Sequence, residues 1–138
     1  MKLPIQTGRS ALVAVTLALC LVSAEAYCGD VYVISNTALN ISPDDIKDIY
    51  TGEKLVEGGV KLIPIDNNSI KPDFLEKVVH VAPAKYSAMW AKKVFQDGLA
   101  VPLSKGTDAD VIALVKAKPG NIGYVSNPTP DVLVIKKF

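Results

Sequence analysis

Apolar and polar positions along this chain follow two rhythms, and each change from one to the other marks an element. Val31 to Asn36 (VYVISN) is dense in β-branched and aromatic residues and runs into a polar Asn-Thr pair, which predicts a strand. The period then lengthens. Ser42 is a good N-cap, Pro43 suits the first helical position, and Asp44 and Asp45 favour the positive end of a helix dipole. Ile46, Ile49 and Tyr50 share one face of that helix, and Gly52 is placed to end it. Glu57-Gly58-Gly59 predicts a turn into a second strand, Val60 to Ile65 (VKLIPI), in which Pro64 favours an edge or a strand end.

Asp66 to Ser69 is a polar loop, and Asn68 or Ser69 is placed to cap a helix with an apolar stripe of Phe74, Leu75, Val78 and Val79. Another helix is expected after Pro83, with Tyr86, Met89, Trp90 and Val94 at helical spacing and Asp97-Gly98 at its end. Thr107 opens the last one, with Asp108 and Asp110 in its first turn and Val111, Leu114 and Val115 on its buried face; Pro119-Gly120 closes it. Ile122 to Ser126 and Val132 to Ile135 supply two further strands. Helices interleaved with strands predict an α/β domain with a central sheet flanked by helices.

The N-terminus follows neither rhythm. Lys2 and Arg9 precede an uncharged run from Ala11 to Val22, followed by Ala24-Glu25-Ala26. These are the parts of a secretion signal with small residues at the cleavage site. The run falls short of the roughly 20 apolar residues that span a bilayer. Cys20 lies within it, but Leu19 before it is not the small residue a lipoprotein signal requires. Cleavage after Ala26 therefore gives an exported, periplasmic or extracellular chain, not membrane-spanning, whose residues 27–138 form one domain.

Composition narrows the function. Hydrophobic residues at 49% and charged residues at 21% are ordinary for a globular domain and exclude a disordered or low-complexity chain. Cleavage removes Lys2, Arg9 and Glu25 from 15 basic and 14 acidic residues, leaving the two signs equal. A neutral domain lacks the basic excess that nucleic acid demands. Arg9 is the chain's one arginine, so the mature domain has no guanidinium fork for phosphate or carboxylate. Cys28 would then stand alone, open to remaining free, being capped or joining two chains.

Two loops carry the candidate ligand chemistry. Asn67, Asn68 and Ser69, between a strand and a helix, offer amides and a hydroxyl where backbone N–H groups attract anions, with Lys71 nearby. Capping explains the same residues. In Ser104-Lys105-Gly106-Thr107, again before a helix, Gly106 permits close backbone approach and Thr107 offers a hydroxyl, without the spacing of a P-loop. One histidine, His80, one mature cysteine and no carboxylate pair at ligand spacing give no basis for a metal, a cofactor or a catalytic residue. A non-enzyme is expected.

Three segments also resemble a known family. ISPDDIKDIYTGEKL at 41–55, VKLIPID at 60–66 and GTDADVIALVKAKPGNIGYVS at 106–126 are similar to phosphate-binding-protein-like periplasmic substrate-binding proteins, in a short, single-lobe form. The most specific match is Pro119-Gly120-Asn121-Ile122-Gly123-Tyr124-Val125. The resemblance implies a single binding-protein-like lobe with a mostly parallel or mixed sheet, and a solute carried to an ABC transporter. In the family an Arg and a Ser-Gly-Thr helix start follow the strand corresponding to Leu62–Ile65. An ungapped match anchored at Phe74 puts Asp66 and Ile70-Lys71-Pro72 there, so the phosphate clamp is not carried over. Two functions follow as expectations: a module binding phosphate or another small polar or anionic solute, or a lobe that meets a protein partner or a second copy of itself.

Overall fold

The computed structural model describes residues 29–138, so the predicted signal segment and Cys28 lie outside the described residues. Helices flank a five-stranded mixed sheet of order β5-β4-β6-β1-β7. In chain order the elements are β1 (Tyr32–Ser35), α1 (Pro43–Tyr50), β2 (Val56–Glu57), β3 (Val60–Lys61) and β4 (Ile63–Asn67). They continue with α2 (Lys71–Phe74), which widens into a π-helical turn at Leu75–Val79, and α3 (Pro83–Asp97). β5 (Leu103–Lys105), α4 (Asp108–Ala117), β6 (Asn121–Val125) and β7 (Leu133–Lys137) complete the domain. β4 runs parallel to both β5 and β6, whereas β1 pairs antiparallel with β6 and β7.

The predicted α/β architecture is the one found, with local differences. The strand expected at Val60–Ile65 is divided: β3 folds back on β2 through Gly58-Gly59, and β4 starts after Leu62. Pro64 sits inside β4, yet pairing with β5 begins only at Ile65, so its missing N–H faces a side with no ladder bond to lose. Gly120 is required where the chain crosses this region. Its φ is +88°, and a Cβ there would lie 2.0 Å from the Lys61 carbonyl oxygen.

Each sheet face buries its own core. Val33 of β1 and Ile122 and Tyr124 of β6 point to the face covered by α1, α2 and α3, where Ile46, Ile49, Phe74, Leu75 and Trp90 pack. Ile34 and Val125, one residue out of step, point to the opposite face with Val111, Ile112 and Val115 of α4. This is the strand period read as two faces. Phe74 stacks on Tyr124 with ring centroids 3.7 Å apart, and Tyr50 meets both rings edge-on. The Tyr50 hydroxyl lies 3.1 Å from the carbonyls of both Ile65 and Ile122, fastening α1 across β4 and β6.

Ser42 and Asp45 form the predicted N-terminus of α1 as a reciprocal capping box. Accepting the Ser42 backbone N–H, with Lys54 beside it, holds the Asp45 carboxyl down at about 2. The expected cap at Asn68 or Ser69 is not formed: Ile70 occupies the N-cap of α2 and makes no side-chain cap, because Ser69 turns back to Asn67. Along α3, Tyr86 and Trp90 are buried as the spacing predicts, but Val94 is exposed one turn beyond them.

Candidate functional site

The parallel strands bring both candidate loops to one edge of the sheet. Asn67 pairs in register with Lys105, and the Asn68 N–H donates to the Lys105 carbonyl at 2.8 Å. Asn67–Ser69 and Gly106–Thr107 therefore lie side by side at the carboxyl ends of β4 and β5. In open α/β sheets this is the edge at which ligands bind. Beside it, Asp30, Tyr32, Ile70, Asp73, Ser126 and Asn127 line a cleft of about 400 Å³.

The candidate residues are not equally available. Asn67 is fully buried, and its amide is saturated from within: Nδ2 donates to Asp108 Oδ1 at 2.7 Å and to the Tyr124 carbonyl at 3.2 Å, while Oδ1 accepts from the Ser69 N–H and hydroxyl. Thr107 accepts from the Asp110 N–H at 3.2 Å, the cap predicted for α4. Asn68, Ser69, Gly106 and Thr107 are exposed, and Gly106 has open space around it.

Asp108, read from sequence as a first-turn dipole acid, organises this edge. Its Oδ2 accepts from the Ser126 N–H at 3.1 Å, the Ser126 hydroxyl at 2.8 Å and the Asn127 N–H at 3.0 Å, and its Oδ1 takes Asn67. Two backbone amides, a hydroxyl and a carboxamide converging near a helix N-terminus are the donors an oxyanion would use. Here the chain fills them with its own carboxylate.

Asp66, at the position matched to the family's Arg, is 1% exposed. Its carboxylate receives the Tyr124 hydroxyl at 3.1 Å and the Tyr86 hydroxyl at 3.2 Å, and pairs with Lys71 Nζ at 3.2 Å. Burial pushes its pKa up; the charge of Lys71 and the donated hydrogen bonds work against that. Burial, reinforced by the neighbouring Asp66, also raises the Tyr86 and Tyr124 hydroxyls, keeping them neutral donors. Lys71, which the sequence offered as a positive charge for the loop, is thus committed to Asp66 and lies 5.0 Å over the Tyr86 ring.

Sequence reasoning missed Asp108, Ser126, Asn127 and the two tyrosines of the Asp66 network. A polar Ser-Asn pair directly after a strand is the one signal that could have pointed to the first group. Among the described residues, no group of three or more His, Cys, Asp and Glu side chains is placed to hold a metal ion, and no helix is long and apolar enough to cross a membrane.

Solved structures share this fold. An ABC-type phosphate transport receptor from Vibrio cholerae superposes with a TM-score of 0.51 at 14% identity, over 79% of this chain and 47% of the receptor. A putative phosphate ABC transporter substrate-binding protein from Clostridium perfringens, solved with bound phosphate, matches with a TM-score of 0.49 at 15% identity, over 79% of this chain and 46% of that protein. The chain thus spans less than half the length of the structures it matches. No protein-family model and no curated protein sequence matches it. The architecture, a five-stranded mixed sheet flanked by helices, is thus one shared with a phosphate transport receptor.

Proposed function

We propose that this chain is an exported binding-protein-like module, cleaved after Ala26 and folded as one domain from residue 27. It holds a small polar solute at the sheet's carboxyl edge for delivery to an ABC transporter. The observation that carries this reading is the cleft of about 400 Å³ lined by Asp30, Tyr32, Ile70, Asp73, Ser126 and Asn127; the exposed Asn68, Ser69, Gly106 and Thr107 share its edge of the sheet without lining it. It lies at the ligand-binding edge of a sheet whose fold is shared with a phosphate transport receptor. Phosphate itself fits poorly. Asp30 and Asp73 line the cleft with carboxylates, and Asp108 already takes the converging donors. The preferred solute is therefore neutral or zwitterionic, and hydrogen-bonded rather than clamped by charge.

A second reading is favoured by one observation. Asp30, Asp73, Ser126 and Asn127 line the cleft with polar groups, and such a polar face also suits a protein partner. Calorimetric titration with phosphate, together with a thermal-shift panel of oxyanions and small neutral and zwitterionic solutes, separates the two. Saturable stabilisation by a neutral or zwitterionic solute, without heat from phosphate, is the expected result. Micromolar phosphate binding would overturn the chemistry assigned to Asp30, Asp73 and Asp108, and a silent panel would leave the partner reading.

A further inference from the structure

We propose that the free edge of β7 is a self-association surface, on which β7 of a second copy lies antiparallel and joins two five-stranded sheets into one. Among the described residues β7 pairs only with β1, so one row of its backbone N–H and C=O groups faces outward. Leu133 is 48% and Val134 46% exposed on this strand. Between β7 and the extended segment 37–41 runs a groove of about 630 Å³, with Leu39, Ile41, Leu133, Val134 and Ile135 in its walls. What fits such a surface is an extended strand that completes the ladder and sets apolar side chains into the groove.

The chain's own β7 meets that description, and its charges choose the direction. Asp131 precedes the strand, and Lys136 and Lys137 end it. A parallel copy would stack lysines on lysines. An antiparallel copy centred on Val134 brings Lys136 of each strand toward the Asp131 turn of the other, where it joins Lys116, leaves Lys137 on its own Asp30, and sets Leu133 opposite Ile135 of the second copy. Ile135, Leu39 and Ile41 pack against the same core cluster, so the groove side of the joint is continuous with the interior.

The β1–β7 ladder slips between Val33 and Ile34, leaving Ile135 as an extra residue in β7. That irregularity and the two lysines oppose indiscriminate stacking on this edge, so the pairing has to draw on the groove and the antiparallel register. Two-fold pairing through β7 closes the assembly. The outer edges are then the two copies of β5, only three residues long. The inference goes beyond the proposed solute binding and stands or falls independently of it.

The test uses the purified chain with Cys20→Ser and Cys28→Ser, so that any covalent link must come from an introduced cysteine. Sedimentation equilibrium is expected to show a mass that doubles with concentration, and Val134→Lys, which sets two ammonium groups across the two-fold axis, to return it to the monomer with an unchanged circular dichroism spectrum. Val134→Cys faces itself across that axis and is expected to form a covalent dimer under mild oxidation, where Leu103→Cys on the opposite edge does not. A monomer at every concentration, a dimer that survives Val134→Lys, or cross-linking through Leu103→Cys at least as fast as through Val134→Cys would overturn the proposal. If Val134→Lys fails to fold, the cysteine pair decides alone.

Discussion

Replacing Asp108 with alanine removes the acceptor of four hydrogen bonds at the edge that carries the candidate site. A hydrogen bond to a charged group contributes about 1.5–3 kcal/mol, but the four losses do not add. The amides of Ser126 and Asn127 are close enough to water to be resolvated, whereas Asn67 stays buried with one Nδ2 hydrogen left without its carboxylate. The expected cost is about 2–4 kcal/mol, which for a domain of this size lowers Tm by about 10–20 °C. Asp110→Ala is the control: it removes an exposed acid from the same helical turn and forfeits only a dipole interaction below about 1 kcal/mol. Thermal and urea denaturation followed by circular dichroism measure both. The vacated donors should also make Asp108→Ala responsive to formate or phosphate, either of which raises its Tm while leaving the wild type unmoved. Equal losses from the two variants, or a wild type that phosphate stabilises as strongly as Asp108→Ala, would refute the assignment of Asp108 as an internal stand-in for an anion.

Two other perturbations probe the framework around that edge. Because Asp66 has a raised pKa in the folded state, the native protein takes up a proton before the unfolded chain does. Its contribution therefore grows more favourable as pH falls from neutral toward the ordinary aspartate value of 3.8, and is withdrawn as pH rises through the folded value. Urea titrations across this range should accordingly show the stability of wild type relative to Asp66→Asn increasing toward acid; a difference that increases toward neutral pH would mean that Lys71 and the two tyrosines outweigh desolvation. Gly123→Ala places a Cβ 2.5 Å from Val111 Cγ1 and 3.0 Å from Val115 Cγ2, so α4 must shift off β6 at a cost of about 1–3 kcal/mol, read as a lower urea midpoint; an unchanged midpoint would show that α4 is not seated as described.

The helices and the central strands were legible in the sequence because each is encoded locally. The Ser42 cap, the Tyr86–Trp90 spacing of α3 and the alternation of Val33 with Ile34 each announce a geometry within a few residues, whereas the stripe through Phe74 and Val78 predicts a regular helix where the chain widens into a π-turn. The edges were less legible, for the opposite reason. β5 reads Leu-Ser-Lys, with every residue exposed, and owes its extended form to register with Ile65, Asp66 and Asn67 rather than to its own composition. β2 exists only because Gly58-Gly59 turns β3 back upon it. The site divides along the same line. Sequence located the two loops correctly at helix starts, but it could not say whether a donor there faces a solute or the protein's own acceptors. That choice rests on Asn67 meeting Asp108 across 41 residues and on Tyr124 meeting Asp66 across 58, contacts made by the topology of the sheet. The same topology converts an anion-binding pattern into a self-satisfied one. Two acids, Asp66 inside the core and Asp108 at the mouth of α4, take up the hydroxyls, amides and ammonium group that this edge would otherwise offer. The fold can thus be shared with a phosphate receptor while the donors at this chain's carboxyl edge are satisfied from within.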